Sequence, residues 1–460
     1  MGVKGVTSNS GPHYIEKLAE FVFRTELRDI PQRTVARTRS IIADCLPVIA
    51  SGMQTPEMKS LVARHLADDA RGCAWVIGAR RRAPSLDAAL LNGTAGTWLE
   101  LDEGNTYAKG HPGIQVVPAA LAVAQEHGLT GEALLTAVAL GYEVSSRISR
   151  SAHFRDLVHP HGTVGVIGAA AAVGKLRGLD QPKLVWLFNI AASMAMATSY
   201  RTLYEGATVR NIYTGHSGYM GQIAVQLALS GFTGEPDGVA TTFGELLSST
   251  FDRDLTVSDL GRHWLIDDGY FKLHPTARSI QTAIDALEEL MKGVPAAGID
   301  PARIRAIEVS TYRRAAEKIQ KKVTSSFGAK FSIPFAVATI LHHGRSGLES
   351  FGDAAVANPL IQQLASIVEV KENPLYTRAY PQEQRCDITV ILADGITYTG
   401  RCVMTKGEPG NPIRDEELKS KFFELGVPLW GDALTTQVYE EFMHLENVND
   451  LKASAGKWLL

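Results

Sequence analysis

Ile304-Arg305-Ala306-Ile307-Glu308-Val309-Ser310-Thr311-Tyr312 is the stretch on which the reading of the fold turns. Its apolar and small residues at 307, 309 and 311 alternate with polar ones, the period-two pattern of a strand with one buried face. Downstream, Ile367 to Lys371 reads as a second strand. Ile388 to Leu392 and Ile396 to Thr399 read as a hairpin about Asp394-Gly395, a strong turn signal. Between them Pro334, Phe335, Val337, Ala338 and Leu341 mark a helix. Outside this region the apolar residues recur at helical spacing. From Asn411-Pro412 onward the chain returns to helix through Leu418, Phe422, Phe423, Val438, Phe442 and Leu451. The expected fold is therefore mostly α with an inserted α+β domain. Residues 1–265 and 405–460 would form a large all-helical domain and residues 266–404 an α+β lid.

A chain of 460 residues exceeds what one hydrophobic core usually supports, which also favours two domains. A hydrophobic fraction of 45% with 21% charged residues is that of a soluble globular protein. The net charge of −3 comes without any basic block, which argues against a nucleic-acid partner; Arg80-Arg81-Arg82 reads as a solvated loop. Cys45, Cys73, Cys386 and Cys402 stand singly, with neither metal-ligand nor disulfide-framework spacing, so a reducing, cytoplasmic setting is expected. Met1 to Pro12 lacks the apolar core of a secretory signal, and no segment reaches the roughly 18 apolar residues of a membrane span.

Upstream of the strands, helices are expected over Tyr14 to Phe23, from Ile30-Pro31 to Leu46, over Met58 to Leu66, and from Pro84 to Asn92. Cys73 to Gly78 is a short buried apolar run. Further helices follow from Pro118, after a Thr130 cap, and after Asp180-Gln181-Pro182, with Arg147 and Arg150 closing the second of these where cations suit the dipole. Gly162, Gly165 and Gly168 match neither the dinucleotide fingerprint nor, with Gly174-Lys175, the phosphate loop; they suit close helix packing. Gly215-His216-Ser217-Gly218 misses the nucleophile-elbow spacing by one residue. Ser199 to Tyr219 is polar amid apolar helices and reads as a pocket wall.

The chemistry concentrates in Leu99-Glu100-Leu101-Asp102-Glu103-Gly104-Asn105-Thr106-Tyr107-Ala108-Lys109-Gly110-His111-Pro112-Gly113, where a helix runs out into three carboxylates, a lysine and a His-Pro-Gly turn. A second cluster, His159-Pro160-His161-Gly162-Thr163, supplies two imidazoles. A third, Lys272-Leu273-His274-Pro275-Thr276-Ala277-Arg278-Ser279-Ile280-Gln281, precedes a helix expected from Thr282 and sets Arg278 and Gln281 near its positive end. With Asp156, His159-x-His161 offers a weaker metal-site alternative.

These motifs, together with Pro118-Ala119-Ala120-Leu121-Ala122, Gly141-Tyr142-Glu143-Val144 and Ala329-Lys330-Phe331-Ser332-Ile333-Pro334, stand in the order and spacing of the MmgE/PrpD family, which the chain resembles along nearly its whole length. That family includes 2-methylcitrate dehydratase, cis-aconitate decarboxylase and iminodisuccinate epimerase. The resemblance implies a helical domain with an α+β lid, usually a homodimer, and an interdomain site that handles small di- or tricarboxylates with neither cofactor nor metal. The expected activity is proton abstraction beside a carboxylate, foremost by a hydro-lyase of the 2-methylcitrate dehydratase kind. An epimerase, a decarboxylase and a silent carboxylate binder are the alternatives. Asp102, His159 and Lys272 take the expected acid and base roles. Glu100, Thr106, His111, His161, Arg210, His274, Arg278, Gln281 and Tyr312 are expected to hold substrate. Two positions depart from the family pattern: Arg210 falls where the decarboxylases place a lysine, and Gln281 where a histidine is common. An arginine stays charged at ordinary pH and cannot shuttle protons.

Overall fold

The computed structural model describes residues 14–66, 71–295 and 298–455; the expectation for Met1 to Pro12 lies outside the described residues. Five helices, Ser85–Gly96, Pro112–His127, Gly131–Ser151, Gly165–Leu176 and Ile212–Leu229, pack on one another at the centre of the larger region. Their small residues set the approach. A Cβ on Gly93 would stand 2.8 Å from the Gly215 Cα, and one on Gly168 2.8 Å from the Gly141 carbonyl oxygen, so neither crossing tolerates a side chain. The glycines of 162–168 and 215–218 thus serve packing, and Ser217 is a buried helical residue bonded to Gln115 rather than a nucleophile on a turn. The caps are those expected: the Thr130 hydroxyl accepts from the Ala133 N–H, the Asp180 carboxylate from the Lys183 N–H, and Gly128 ends its helix at φ +62°.

The smaller region is built on a four-stranded sheet in the order Thr397–Cys402, Cys386–Leu392, Ile304–Thr311, Val368–Glu372. The first three strands are antiparallel and the last runs parallel to Ile304–Thr311. Helices Arg278–Lys292 and Ile333–His343 pack against it. Two apolar cores result. One gathers residues between Tyr14 and Phe271 with Phe422, Val438, Phe442, Leu445 and Leu451; the other holds residues from Ile280 to Cys402. The architecture is the two-domain one expected, mostly helical with a smaller α+β part. The C-terminal helix, Asp415–Met443, bends at Gly431 and lies along helix Gln32–Gly52, which brings chain-distant residues beneath the acidic turn.

Several local expectations need correction. Arg81–Ala83 is a strand paired with Ala74–Val76, so the arginine run is a hairpin arm and not a loop. The helix expected from Pro118 begins at Pro112, because proline at a first helical position costs no hydrogen bond. The one expected from Thr282 begins at Arg278. Arg147 does not serve a helix end: fully buried, it pairs with Glu143 at 2.7 Å and donates to the carbonyls of Ser258 and His263 at 2.6 Å each. A guanidinium has five donors, and only a set of carbonyls on a neighbouring loop satisfies them in the core. Cys45, Cys73, Cys386 and Cys402 are all free thiols. No described helix is long and apolar enough to cross a membrane.

Candidate active site

The helix Ser85–Gly96 ends in a turn that carries Glu100 at φ +54°, a left-handed conformation that non-glycine residues seldom adopt. Three ammonium groups hold that turn. Lys330 donates to the Trp98 carbonyl at 2.9 Å, Lys272 to the Glu100 carbonyl at 3.0 Å, and Lys421 to the Leu101 carbonyl at 2.9 Å. They arrive from the α+β part, the linker and the C-terminal helix, and each satisfies a backbone acceptor of the turn that follows the helix. Lys421 also pairs with buried Asp44 at 2.6 Å. Burial brings Lys330 down to about 8, against the attraction of Glu100.

On this turn the buried acids divide their partners. Glu100 Oε1 lies 2.5 Å from Arg210 Nη1 and Oε2 lies 3.4 Å from Lys272 Nζ, while Asp102 Oδ1 is 3.7 Å from the same ammonium. Asp102 Oδ2 stands 2.8 Å from His111 Nδ1. Burial alone would raise the Asp102 carboxyl, but His111, Lys272 and Arg210 outweigh it and hold the group well below the usual carboxylate range. Asp102 therefore stays ionised and faces the Nδ1 of His111, a placement that would keep a single ring proton on Nδ1 and leave the Nε2 lone pair free. His111 itself caps helix Pro112–His127 and lines the cleft.

Glu103, the third acid, faces away from this pair. Its carboxyl accepts from the Gly113 N–H at 2.5 Å and from the Tyr142 hydroxyl at 3.0 Å, and burial, with Asp102 adjacent, pushes it up to about 8. The group ionises near 4.5 in an unfolded chain, so between that pH and about 8 folding takes up a proton and stability falls as pH rises. Urea titrations should show a component of about 1.4 kcal/mol per pH unit over that range. Glu103→Gln is expected to remove it, and a variant with the parent's slope would refute the assignment.

The opposite wall comes from His159-Pro160-His161. His159 is buried, and its Nδ1 accepts the His161 backbone N–H at 3.0 Å, so its Nε2 carries the proton. Burial first, then the charges of Arg210 and His111, keeps His159 well below the ordinary histidine range, and the same causes act on His161. Both are neutral. The rings of His111 and His161 are 4.8 Å apart, those of His159 and His161 4.5 Å, and Tyr200 lies 4.6 Å from His159.

Together these elements line a cleft of about 530 Å³ between the two parts of the molecule. Of the residues expected at the site, Glu100, Thr106, His111, His159, His161, Arg210, Arg278 and Tyr312 line it. Asp102 and Lys272 do not; they sit buried behind His111 and Glu100 and act through them. Lys272 is wholly buried, not a surface residue with a snorkelling stem. Arg278 lines the cleft but is already engaged, donating to Glu408, Gln281 and the Lys406 carbonyl at 2.8–2.9 Å and lying over the Tyr270 ring. Gln281 stands one layer back, its amide donating to the His274 carbonyl at 2.8 Å. His274 lies outside the cleft beside Asp285 and Glu288, its Nε2 3.4 and 3.9 Å from their oxygens. Burial opposes its protonation, yet the Asp285 bond and both carboxylates outweigh burial and raise the imidazole in this cluster above the ordinary histidine range. Among the described residues it is the one trio of ligand-type side chains that converges, which leaves His159, His161 and Asp156 unsuited to share a metal.

Sequence reasoning missed Arg314, Lys318 and Tyr380, which the α+β part contributes to the cleft. Arg313-Arg314 follows the first strand directly, and two arginines at a strand end look like a solvated edge until the cleft is seen to open there.

The fold and cleft define a class: a two-domain, mostly helical protein whose interdomain site joins a carboxylate-backed imidazole, two neutral imidazoles and several cations. The sequence matches the MmgE/PrpD N-terminal domain over residues 16–256 and the MmgE/PrpD C-terminal domain over residues 274–445, and the chain belongs to the MmgE/PrpD family. It is 25% identical to cis-aconitate decarboxylase of Mus musculus over 88% of this chain and 85% of that protein. It is 23% identical to the cis-aconitate decarboxylase-like protein oryM of Aspergillus oryzae over 95% of each. Identity to 2-methylcitrate dehydratase of Cupriavidus necator is 24%, over 68% of this chain and 65% of that protein.

Proposed function

We propose that this protein is a lyase that eliminates water from a small hydroxy di- or tricarboxylate, of the kind 2-methylcitrate represents. The observation that carries the reading is that two imidazoles of one cleft turn their Nδ1 atoms to partners of opposite kind, a carboxylate and a backbone N–H. His111 has its Nδ1 against Asp102 and keeps Nε2 as a base, whereas His159 has its Nδ1 occupied by a backbone N–H and keeps Nε2 as a donor. A decarboxylation takes no proton from carbon and has no need of a base held in this way; an elimination does.

In this reading Arg210, steadied by Glu100, binds the carboxylate beside the reacting carbon and offsets the charge that gathers on its oxygens. His111 Nε2 takes the proton from that carbon, and Asp102 stabilises the imidazolium formed. The C–O bond to the neighbouring carbon breaks while the Nε2–H of His159 hydrogen-bonds the departing oxygen. The hydroxyl leaves as water with the proton His111 collected, which resets the site and makes the elimination syn. A neutral imidazole acting as a hydrogen-bond donor is an established use of the group.

Five relatives named for cis-aconitate decarboxylation, two of them from Mus musculus and Aspergillus oryzae, favour a second reading in which the imidazolium of His111 delivers a proton to carbon as CO2 departs. Proton NMR of the protein with 2-methylcitrate, citrate, cis-aconitate and iminodisuccinate in heavy water separates these. A vinylic proton from citrate, or a new methyl singlet on an sp2 carbon from 2-methylcitrate, supports the hydro-lyase; terminal methylene signals from cis-aconitate support the decarboxylase and overturn it. Deuterium wash-in with inversion on iminodisuccinate would make it an epimerase, and binding without turnover a silent carboxylate binder.

A further inference from the structure

The cations around the cleft differ in what already answers their charge. Arg210 has Glu100, Arg278 has Glu408, and Arg313 has Glu372. Lys272 has both Glu100 and Asp102. Arg314 has no carboxylate within ion-pair distance among the described residues. Tyr200, Tyr270, Tyr312 and Tyr380 line the cleft with it, and Tyr200 is hydrogen-bonded to its side chain. Tyr200 and Tyr270 belong to the helical part, Tyr312 and Tyr380 to the α+β part, where they stack at 4.6 Å. Arg314 thus stands on the lid side of the cleft, reaches across it, and keeps solvent access. Lys318, four residues on, lines the same wall, and burial together with Arg314's charge brings it down to about 8 against the attraction of Glu317.

We propose that Arg314 is the second carboxylate clamp of this site and selects substrates with a carboxylate remote from the reacting carbon. The substrate then spans the cleft, its reacting carboxylate on Arg210 and its distal one on Arg314, with the Tyr200 bond steadying the guanidinium for a bidentate contact. A di- or tricarboxylate would link the two halves of the molecule, whereas a monocarboxylate of the same length would leave Arg314 unanswered. The inference rests on the carboxylate-handling reading above but not on which bond is broken.

Isothermal titration of the unmodified protein and of Arg314→Gln with tricarballylate, glutarate and butyrate tests it, because none of the three carries a hydroxyl to eliminate. Arg314→Gln should weaken tricarballylate and glutarate about tenfold to hundredfold, the worth of one charged bidentate contact, and leave butyrate within about twofold. Arg314→Lys should recover part of the loss. Equal weakening of all three ligands, or no change in any, would overturn the clamp. An unmodified protein that binds tricarballylate but leaves 2-methylcitrate untouched would sink the hydro-lyase reading and leave the clamp standing. The side chain is solvent-accessible, so Arg314→Gln should unfold at the parent's temperature, which separates lost binding from lost structure.

Discussion

Asp102→Asn should lower kcat by about a hundredfold to ten-thousandfold with little change in KM. Asp102 touches no part of the cleft; its one catalytic partner is His111, 2.8 Å away. An asparagine in its place is nearly isosteric and keeps a hydrogen bond to Nδ1, but its amide donates where the carboxylate accepted. The proton of a neutral His111 then moves to Nε2, and the base becomes a donor. The imidazolium that forms during proton abstraction also loses its counter-charge. Both effects act on the transition state and not on substrate binding, so they appear in kcat. Initial-rate kinetics on whichever substrate the NMR panel identifies would measure this, with the thermal midpoint as a control. Activity within about tenfold of the parent would show that His111 works without its carboxylate.

Lys272→Met is expected to cost about 3–5 kcal/mol of stability, the penalty for stranding buried charge. The ammonium is wholly buried, donates to the Glu100 carbonyl, and lies 3.4 Å and 3.7 Å from the Glu100 and Asp102 carboxylates. Removing it leaves two ionised acids with one cation fewer and a carbonyl without a donor at a residue already held in a left-handed conformation. Lys183→Met provides the contrast, since its pair with Asp180 is exposed on both sides and screened by solvent, so this variant should unfold close to the parent. Equilibrium urea unfolding of the two variants should separate them clearly. If they lose similar stability, the lysine at 272 is not what holds the acidic turn. Combining Lys272→Met with Glu100→Gln should cost less than the sum of the single changes, because the second substitution removes one of the charges that the first strands.

The elements legible in the sequence share a physical property: each announces itself by a local pattern. Ile304–Thr311 alternates because one face of a strand is buried, Asp394-Gly395 turns because glycine accepts positive φ, and Thr130 and Asp180 cap because their oxygens reach N–H groups three residues on. What failed locally failed for want of such a pattern. Arg81–Ala83 forms a strand only because Ala74–Val76 lies beside it, and Arg147 enters the core only because a distant loop offers its carbonyls.

The site divides in the same way. Motif order pointed to the Asp102 turn, His111, His159 and Arg210, since these residues sit in short stretches whose composition is unusual for their surroundings. Arg314, Lys318 and Tyr380 lack that mark and join the cleft only because the sheet carries their strand ends to it.

The sequence by itself determined that this chain folds as two domains, mostly helical with a smaller α+β part, and that it belongs with proteins bearing acid, histidine and cation motifs in one order. Only the tertiary structure decided which of those groups meet. It set Asp102 and Lys272 behind the cleft, turned Nδ1 of His111 to a carboxylate and Nδ1 of His159 to a backbone N–H, and took His274 away to Asp285 and Glu288. Residue type fixes what a side chain can donate or accept, but which atom stays free depends on neighbours that packing brings from elsewhere in the chain.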